Sequence, residues 1–449
     1  MHSLLAEFAK IMWGPWLLIL LLGTGVWLSI RLNGIQIRNI IYAFRLTFSK
    51  EREGEGDISH FGSLMTALAA TVGMGNIAGV STAVALGGPG AIFWMWVTGL
   101  VGMATKYSEG YLAVKYRHIN DYGEISGGPM YYIEYGLGQK WLGVCFAIFG
   151  ALAAFGIGNM IQSNTTAHAL SETLGTSKLL IGTILALLTG MVIIGGIKRI
   201  ADVASYFVPL MVTIYFIGAI IVIFNNLPHL GSGIALIFEH AFNGTSATGG
   251  FIGATLTQTI RFGVARGLFS NESGMGSAPI AAAAAKTNHP GKQALVSMTG
   301  TFLDTLVICS LTALALSSSG VWVSGETGVA LTIKAFSSGL PGNWGNIIVS
   351  LSAITFGFSS ILAWEYYGEK CFEYLFKEKW VHLYRYLWVI IVFMGALFEL
   401  EAVWNFSDAM NALMAVPNLI GLLLLSGILS RETRIFEKGI NEGTINKYN

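Results

Sequence analysis

Long apolar runs alternate with short polar segments over nearly the whole chain. Runs of eighteen or more apolar residues, about enough to cross 30 Å of hydrocarbon, predict membrane spans. They fall at 13–31, 61–86, 90–116, 141–168, 178–196, 203–225, 249–285, 293–318, 343–363, 383–400 and 404–428. Between the first two lies "RLNGIQIRNIIYAFRLTFSK", where Ile37, Ile40, Ile41 and Phe44 share one helical face and Arg38 and Arg45 suit head groups. That pattern predicts a helix lying on the membrane surface. Two spans break their own pattern. One is "MTALAATVGMGNIAGVSTAVALGGPG" at 65–90, and the other carries "FGVARGLFSNESGMGSAPIAAAAA" at 262–285. Both put Gly and Asn where a spanning helix should be most apolar, although a bare backbone group in hydrocarbon costs several kcal/mol.

Composition agrees with a polytopic helical membrane protein. The 449 residues are 53% hydrophobic and 11% charged, with mean hydropathy +0.62, against about 25% charged in ordinary soluble proteins. A net charge of +1 offers no basic stripe for nucleic acid. Three scattered cysteines and eight dispersed histidines supply neither a disulfide framework nor a metal cluster. The run 13–30 lacks a basic leader and a small-residue cleavage site, so it is read as a span and not a signal peptide. Basic residues set the orientation. With the 32–60 loop in the cytoplasm, 21 of the 26 Lys and Arg fall inside, and only Lys10, Lys178 and Lys334 fall outside; Arg261 and Arg266 sit within a span. The N-terminus is thus expected outside, the C-terminus in the cytoplasm and the chain in the cell membrane.

With the first span set aside, ten remain, and the two glycine-interrupted spans are the first and sixth of them. Matching breaks in two five-helix halves point to a secondary transporter with inverted repeats. The expected organisation is an extra helix plus surface helix at 1–60, repeats at 61–225 and 249–428, and a cytoplasmic tail at 429–449. A broken helix presents free N–H groups at one half-helix start and free carbonyls at the other half's end. The amides can hold a carboxylate and the carbonyls a monovalent cation, which suits a zwitterion carried with an ion. Gly75 and Gly79 also form GxxxG, a helix-packing motif, and Ala281–Ala285 is best read as close packing.

These residues resemble the alanine or glycine:cation symporters, also called sodium:alanine symporters. The marks are "GMGNIAGVSTAVALGGPGAIFWMWVTGLVGMATKYSEGYLAVKYR", "GGPMYYIEYGLG", "GVARGLFSNESGMGSAPIAAAAA" and "FGFSSILAWEYYGEKCFEYLF". The resemblance implies the five-plus-five inverted-repeat, LeuT-like fold of the amino acid–polyamine–organocation superfamily, with one extra helix in front. It implies sodium-driven uptake of alanine or glycine, protons replacing sodium in some members. "TVGMGN" is also similar to the first-helix break of neurotransmitter:sodium symporters. Carried over by position, that likeness implies substrate carboxylate at the amides of Met74 and Gly75, and sodium near Asn76 and Thr71. A second sodium is implied at Ala69, Val72, Ser359 and Ser360. The likeness also implies that core helices 1, 2, 6 and 7 rock against the rest.

Other candidates rest on position. Phe269, Ser270, Asn271, Gly274 and Met275 in the second break are candidates for the substrate amine and side chain, a bulky Phe or Met limiting the pocket to a methyl group. Gln162 either faces substrate or bonds between helices, and Trp364 either lines the pocket or anchors at the interface. Ser359 and Ser360 could instead bond back to their own helix. Charges inside spans default to functional hypotheses. Asp304 either lies near an ion path or pairs with a hydroxyl or cation elsewhere, Lys106 and Glu109 are expected to pair along one helix, and Glu272 is expected to pair with Arg261 or Arg266 in a structural or gating role. An enzyme would need a nucleophile–base pair or metal cluster, and no GxSxG or HExxH occurs. No cofactor is expected beyond the coupled ion. The alternative substrate on this fold is another small amino acid or a nucleobase.

Overall fold

The structure is a computed structural model that describes residues 2–49, 54–398 and 401–445. Lys50, Arg52, Lys447 and the last two residues of the expected 383–400 span lie outside the described residues. The chain begins with α1 (His2–Met12) and α2 (Pro15–Arg31), followed by short α3 (Ile35–Arg38) and α4 (Ile40–Thr47). The surface-helix segment is thus split at Asn39. Ile37 and Ile41 stand exposed while Ile35, Ala43 and Leu46 face the protein.

The first interrupted span is α5 (His60–Thr71), a π turn at Gly75–Gly79 and α6 (Val80–Gly87), bent by 52°. Ser59 caps α5 by accepting the Gly62 N–H at 3.0 Å, and Gly88, at φ 75°, ends α6 where a side chain would be strained. Next come α7 (Ala91–Lys115), a two-residue hairpin pairing His118–Ile119 with Ile125–Ser126, and α8 (Pro129–Tyr131). Then α9 (Lys140–Ala153) runs through a π stretch, Ala154–Ile161, into α10 (Gln162–Leu174). This half closes with α11 (Lys178–Ile193) and α12 (Gly196–Asn225).

The hydrophobic runs did not separate α13 (Leu227–Asn243), whose one-sided pattern reads as a surface helix and not a span. The long 249–285 span shortens for the same reason it looked long: its start, "GGFIGA" at 249–254, carries no polar side chain but belongs to bridged turns, Thr245 to Ala254 and Thr248 to Phe251. The helix starts only at the Thr255–Gln258 capping box, as α14 (Leu256–Asn271), and resumes as α15 (Ala278–Ala283). Then follow α16 (Pro290–Thr301), a π stretch at Phe302–Cys309, α17 (Ser310–Ser319), α18 (Gly328–Gly339), α19 (Trp344–Phe376), α20 (Val381–Leu397) and α21 (Glu401–Glu442). The segment expected as a tail continues as helix in α21.

Seven described helices are long and apolar enough to cross a membrane, and the bent α5–α6 pair makes an eighth. The other three expected spans fall short for separate reasons. The helix α11 has 16 residues, α14–α15 is in two pieces, and α7 carries Lys106 and Glu109 at its middle. Outward faces of α11 and α12 expose Leu187, Ile184, Ile217 and Phe224, whereas Asn76, Glu109, Asp304 and Glu365 are fully buried. Apolar outside and polar inside is the arrangement hydrocarbon demands.

Candidate functional site

The first break begins where α5 ends at Thr71. Val72 turns extended, and the side chain of Asn76 folds back so that its Oδ1 accepts the Gly73 N–H at 2.8 Å. Asn76 N–H also donates to Gly73 O at 3.1 Å, so one buried residue closes the gap with both its side chain and its main chain. The amides of Met74 and Gly75 open the next turn, where helix geometry leaves N–H groups without intrahelical partners. The last carbonyls of α5 meet α19. Ser359 Oγ and Ser360 Oγ both donate to Ala69 O at 3.2 Å, and Ser360 reaches Ala70 O at 3.4 Å. Ser359 also bonds back to Phe356 O at 2.9 Å, so its hydroxyl is shared between its own helix and the break. A Cβ on Gly73 would lie 3.1 Å from Ser360 Oγ, which explains a bare residue there. Val72 is buried beside these groups.

The second break is longer and built differently. Glu272 adopts φ 54°, and Gly274 and Gly276 sit at φ 87° and 86°. A left-handed non-glycine residue is strained and is held by its surroundings. Asn271 Oδ1 accepts the Ser273 N–H at 3.0 Å, and Glu272 accepts from Ser277 Oγ at 2.5 Å.

Asp304, in the π stretch after α16, joins the two breaks. Its Oδ1 accepts from Asn76 Nδ2 at 2.7 Å, and its Oδ2 from Ser270 Oγ at 2.9 Å and Thr305 Oγ1 at 2.8 Å. Asn271 Nδ2 reaches Thr305 at 3.1 Å. A Cβ on Gly75 would stand 3.0 Å from Ser270 Cα, so the breaks cross with no room between their backbones.

Against this crossing lies a small cavity of about 20 Å³, lined by Thr71, Met74, Gly75, Gln162, Phe269, Glu272, Ser360 and Trp364, with Asn411 from α21. The space is water-sized, so an amino acid needs the walls to part. Gln162 and Asn411 each keep a buried side-chain oxygen without a partner, while Gln162 Nε2 donates to Ile157 O at 3.2 Å. Trp364 leans on α19's neighbour: a Cβ on Gly158 would come within 2.1 Å of its Cβ.

On the Trp13 side is a larger cavity of about 280 Å³, lined by Trp13, Arg261, Arg266, Asn405 and Asp408. Phe269 lines both cavities and separates them, with Arg266 standing over its ring at 5.8 Å.

Two sequence candidates stand apart from the small cavity. After Glu272 the left-handed turns carry the chain away, so Gly274 faces Leu21 and Leu419 and Met275 is packed in the core. Neither lines the cavity, and the pocket-limiting side chain there is Phe269. The expected Glu272 pairing with Arg261 or Arg266 is replaced by the Ser277 bond, because Arg266 lies about 9 Å back along α14, beyond Phe269. Lys106 and Glu109 make no ion pair with each other among the described residues; Glu109 Oε1 accepts from Gly276 N–H and Asn418 Nδ2 instead. Asn411 was not among the sequence candidates, and no local pattern around it in "NFSDAMNALMAV" marks it.

The whole chain, residues 1–449, matches the Sodium:alanine symporter family. It is similar to the sodium/alanine symporter AgcS of Methanococcus maripaludis, 51% identical over 97% of both chains. It is also similar to the probable sodium/glutamine symporter GlnT of Bacillus subtilis, 39% identical over 93% of this chain and 87% of that one. Among solved structures it resembles MhsT in complex with L-phenylalanine, with TM-score 0.58 and 15% identity over 83% of this chain and 90% of that one. That likeness carries the fold alone: an all-helical, LeuT-like transporter core with two discontinuous helices. A multi-pass membrane transporter and not an enzyme, the chain belongs to the sodium:alanine symporter family.

Proposed function

We propose that this protein carries alanine and glycine into the cell together with sodium, by alternating access in the plasma membrane. The observation that supports it most is the convergence of Ser359 and Ser360 on the free carbonyl end of α5, beside a cavity floored by Met74 and Gly75. Several neutral oxygens within 3.4 Å of one another are what a hard monovalent cation needs, and unpaired amides a few residues on suit a carboxylate. Asn76, Thr71 and Asp304 supply further oxygens along the ion path. Gln162 and Asn411 offer free oxygens toward the substrate ammonium, and when the walls part Phe269, Met74 and Trp364 admit a short side chain only.

The orientation that accompanies this reading puts the N-terminus outside and the C-terminus in the cytoplasm, following the basic residues. The cavity at Arg266 and Asp408 is then the outer vestibule, and Phe269 its floor. The repeats run over 61–225 and 249–428. The test is radiolabelled L-alanine uptake into proteoliposomes with and without an inward sodium gradient, competed by glycine, D-alanine and glutamine. Uptake that follows sodium and is blocked by glycine supports the reading. Uptake indifferent to sodium, or competed by glutamine and not glycine, overturns it.

A further inference from the structure

A second narrow cavity, again about 20 Å³, lies on the Ser63 side of the crossing, lined by Ser63, Thr71, Lys106, Glu109, Asn271 and Gln293. Thr71 is a wall of both this cavity and the central one. Lys106 and Glu109 both come from α7 and are 4% and 0% exposed. Three residues apart, they would ordinarily close on each other. Instead Lys106 Nζ has no hydrogen-bond partner, and Glu109 keeps Oε2 free while Oε1 is engaged by Gly276 and Asn418. The two feel each other's charge, and Lys106 also that of Glu272 and Asp304, but no hydrogen bond satisfies Nζ or Oε2, so a ligand bearing both opposite charges gains by lying between them. An α-amino acid is such a ligand, with carboxylate and ammonium on one carbon.

We propose that Lys106 and Glu109 form a second station for the transported amino acid, between the central cavity and the cytoplasm. The carboxylate is held by Lys106 Nζ and the ammonium by Glu109 Oε2. This deepens the function proposed above and rests on its amino acid substrate and its orientation. The station reads only the charged end common to all α-amino acids. Small walls at Ala67, Gly110, Ala278 and Ala282 let α5 and α15 slide on α7 as the cavity widens.

The experiment uses the full chain in proteoliposomes with three variants, Lys106→Met, Glu109→Gln and the double substitution. Equilibrium L-alanine binding in sodium and sodium-driven uptake are measured on each. The expected result is binding within about twofold of the unaltered protein, because the central site is intact. Uptake falls at least about tenfold, the loss of one charged contact of about 1.4 kcal/mol, in the single variants and stays low in the double. Recovery of uptake in the double variant would mean the two charges only balance each other, and overturns the station. So does wild-type uptake by Lys106→Met, or loss of binding in step with uptake, which would move Lys106 into the central site. Failure of the unaltered protein to bind alanine at all would sink the amino acid reading itself, and the station with it.

Discussion

The two helix breaks differ in how they are closed. The first spans three residues and is fastened by Asn76, whose side chain accepts the Gly73 N–H and whose own N–H donates to Gly73 O. The second spans six, turns through positive φ at Glu272, Gly274 and Gly276, and is held by several side chains, from Asn271, Ser277, Glu109 and Asn418. A short gap closed by one residue leaves the amides of Met74 and Gly75 as groups a ligand could take. In the longer gap the amides of Ser273 and Gly276 and the carbonyl of Gly274 are already taken by side chains. On the proposed function this is a division of labour: main-chain chemistry from the first break, and walls, Phe269 at the end of α14 above all, from the second interrupted helix.

The largest effect should come from Gly75→Leu, whose Cβ would meet Ser270 Cα at 3.0 Å. We expect uptake to vanish while the protein still reaches the membrane, checked by transport and surface labelling. Normal uptake would mean that the breaks do not cross where the substrate passes. Asn76→Ala comes next. It removes the side-chain closure of the first break and an Asp304 partner, costing about 1–3 kcal/mol in thermal unfolding and most of the uptake.

Ser360→Ala should raise the sodium concentration for half-maximal uptake about tenfold with little change in maximal rate. Ser359→Ala should do less, since that hydroxyl is shared with Phe356 O. Equal effects would argue against the carbonyl end of α5 as the ion's place. Phe269→Ala should leave alanine transport within several-fold and let larger amino acids compete; unchanged selectivity would clear the second break of its role as a wall. The smallest effect on transport is expected from Gly274→Ala. It strains a position at φ 87° by about 1–3 kcal/mol and lowers the melting temperature, with uptake per folded molecule nearly unchanged. A shift in substrate preference there would erase the distinction between the two breaks.

Much of this was legible in the residues, because hydrocarbon punishes a bare backbone so heavily that Gly and Asn at mid-span can hardly be accidental. The serine pair was legible for a related reason, two adjacent hydroxyls at the middle of an apolar helix. Less was visible where three-dimensional direction mattered. Met275 lies within six residues of Phe269 and reads as an equally good pocket wall, but left-handed Glu272 and Gly274 between them turn it into the core. Asn411 carries no pattern of its own and matters only because α21 passes the cavity at that turn. Lys106 and Glu109 read as an ordinary pair by spacing, and only the competing amide of Gly276 and Asn418 reveals why they stay apart. Hydropathy also could not separate the turns at 249–254 from the helix they precede.

The seam between α5 and α19 is joined at Ala69 by two neutral hydroxyls, contacts of about 1 kcal/mol apiece. Fastenings that weak come undone on thermal time. A cation at a hundred times its dissociation constant would add about 2.7 kcal/mol, more than those hydroxyls hold together. On the proposed sodium site, the grip of one helix on the other, beyond their packing, would respond to salt on whichever face of the membrane the seam can see, and a concentration difference would then set a direction of travel.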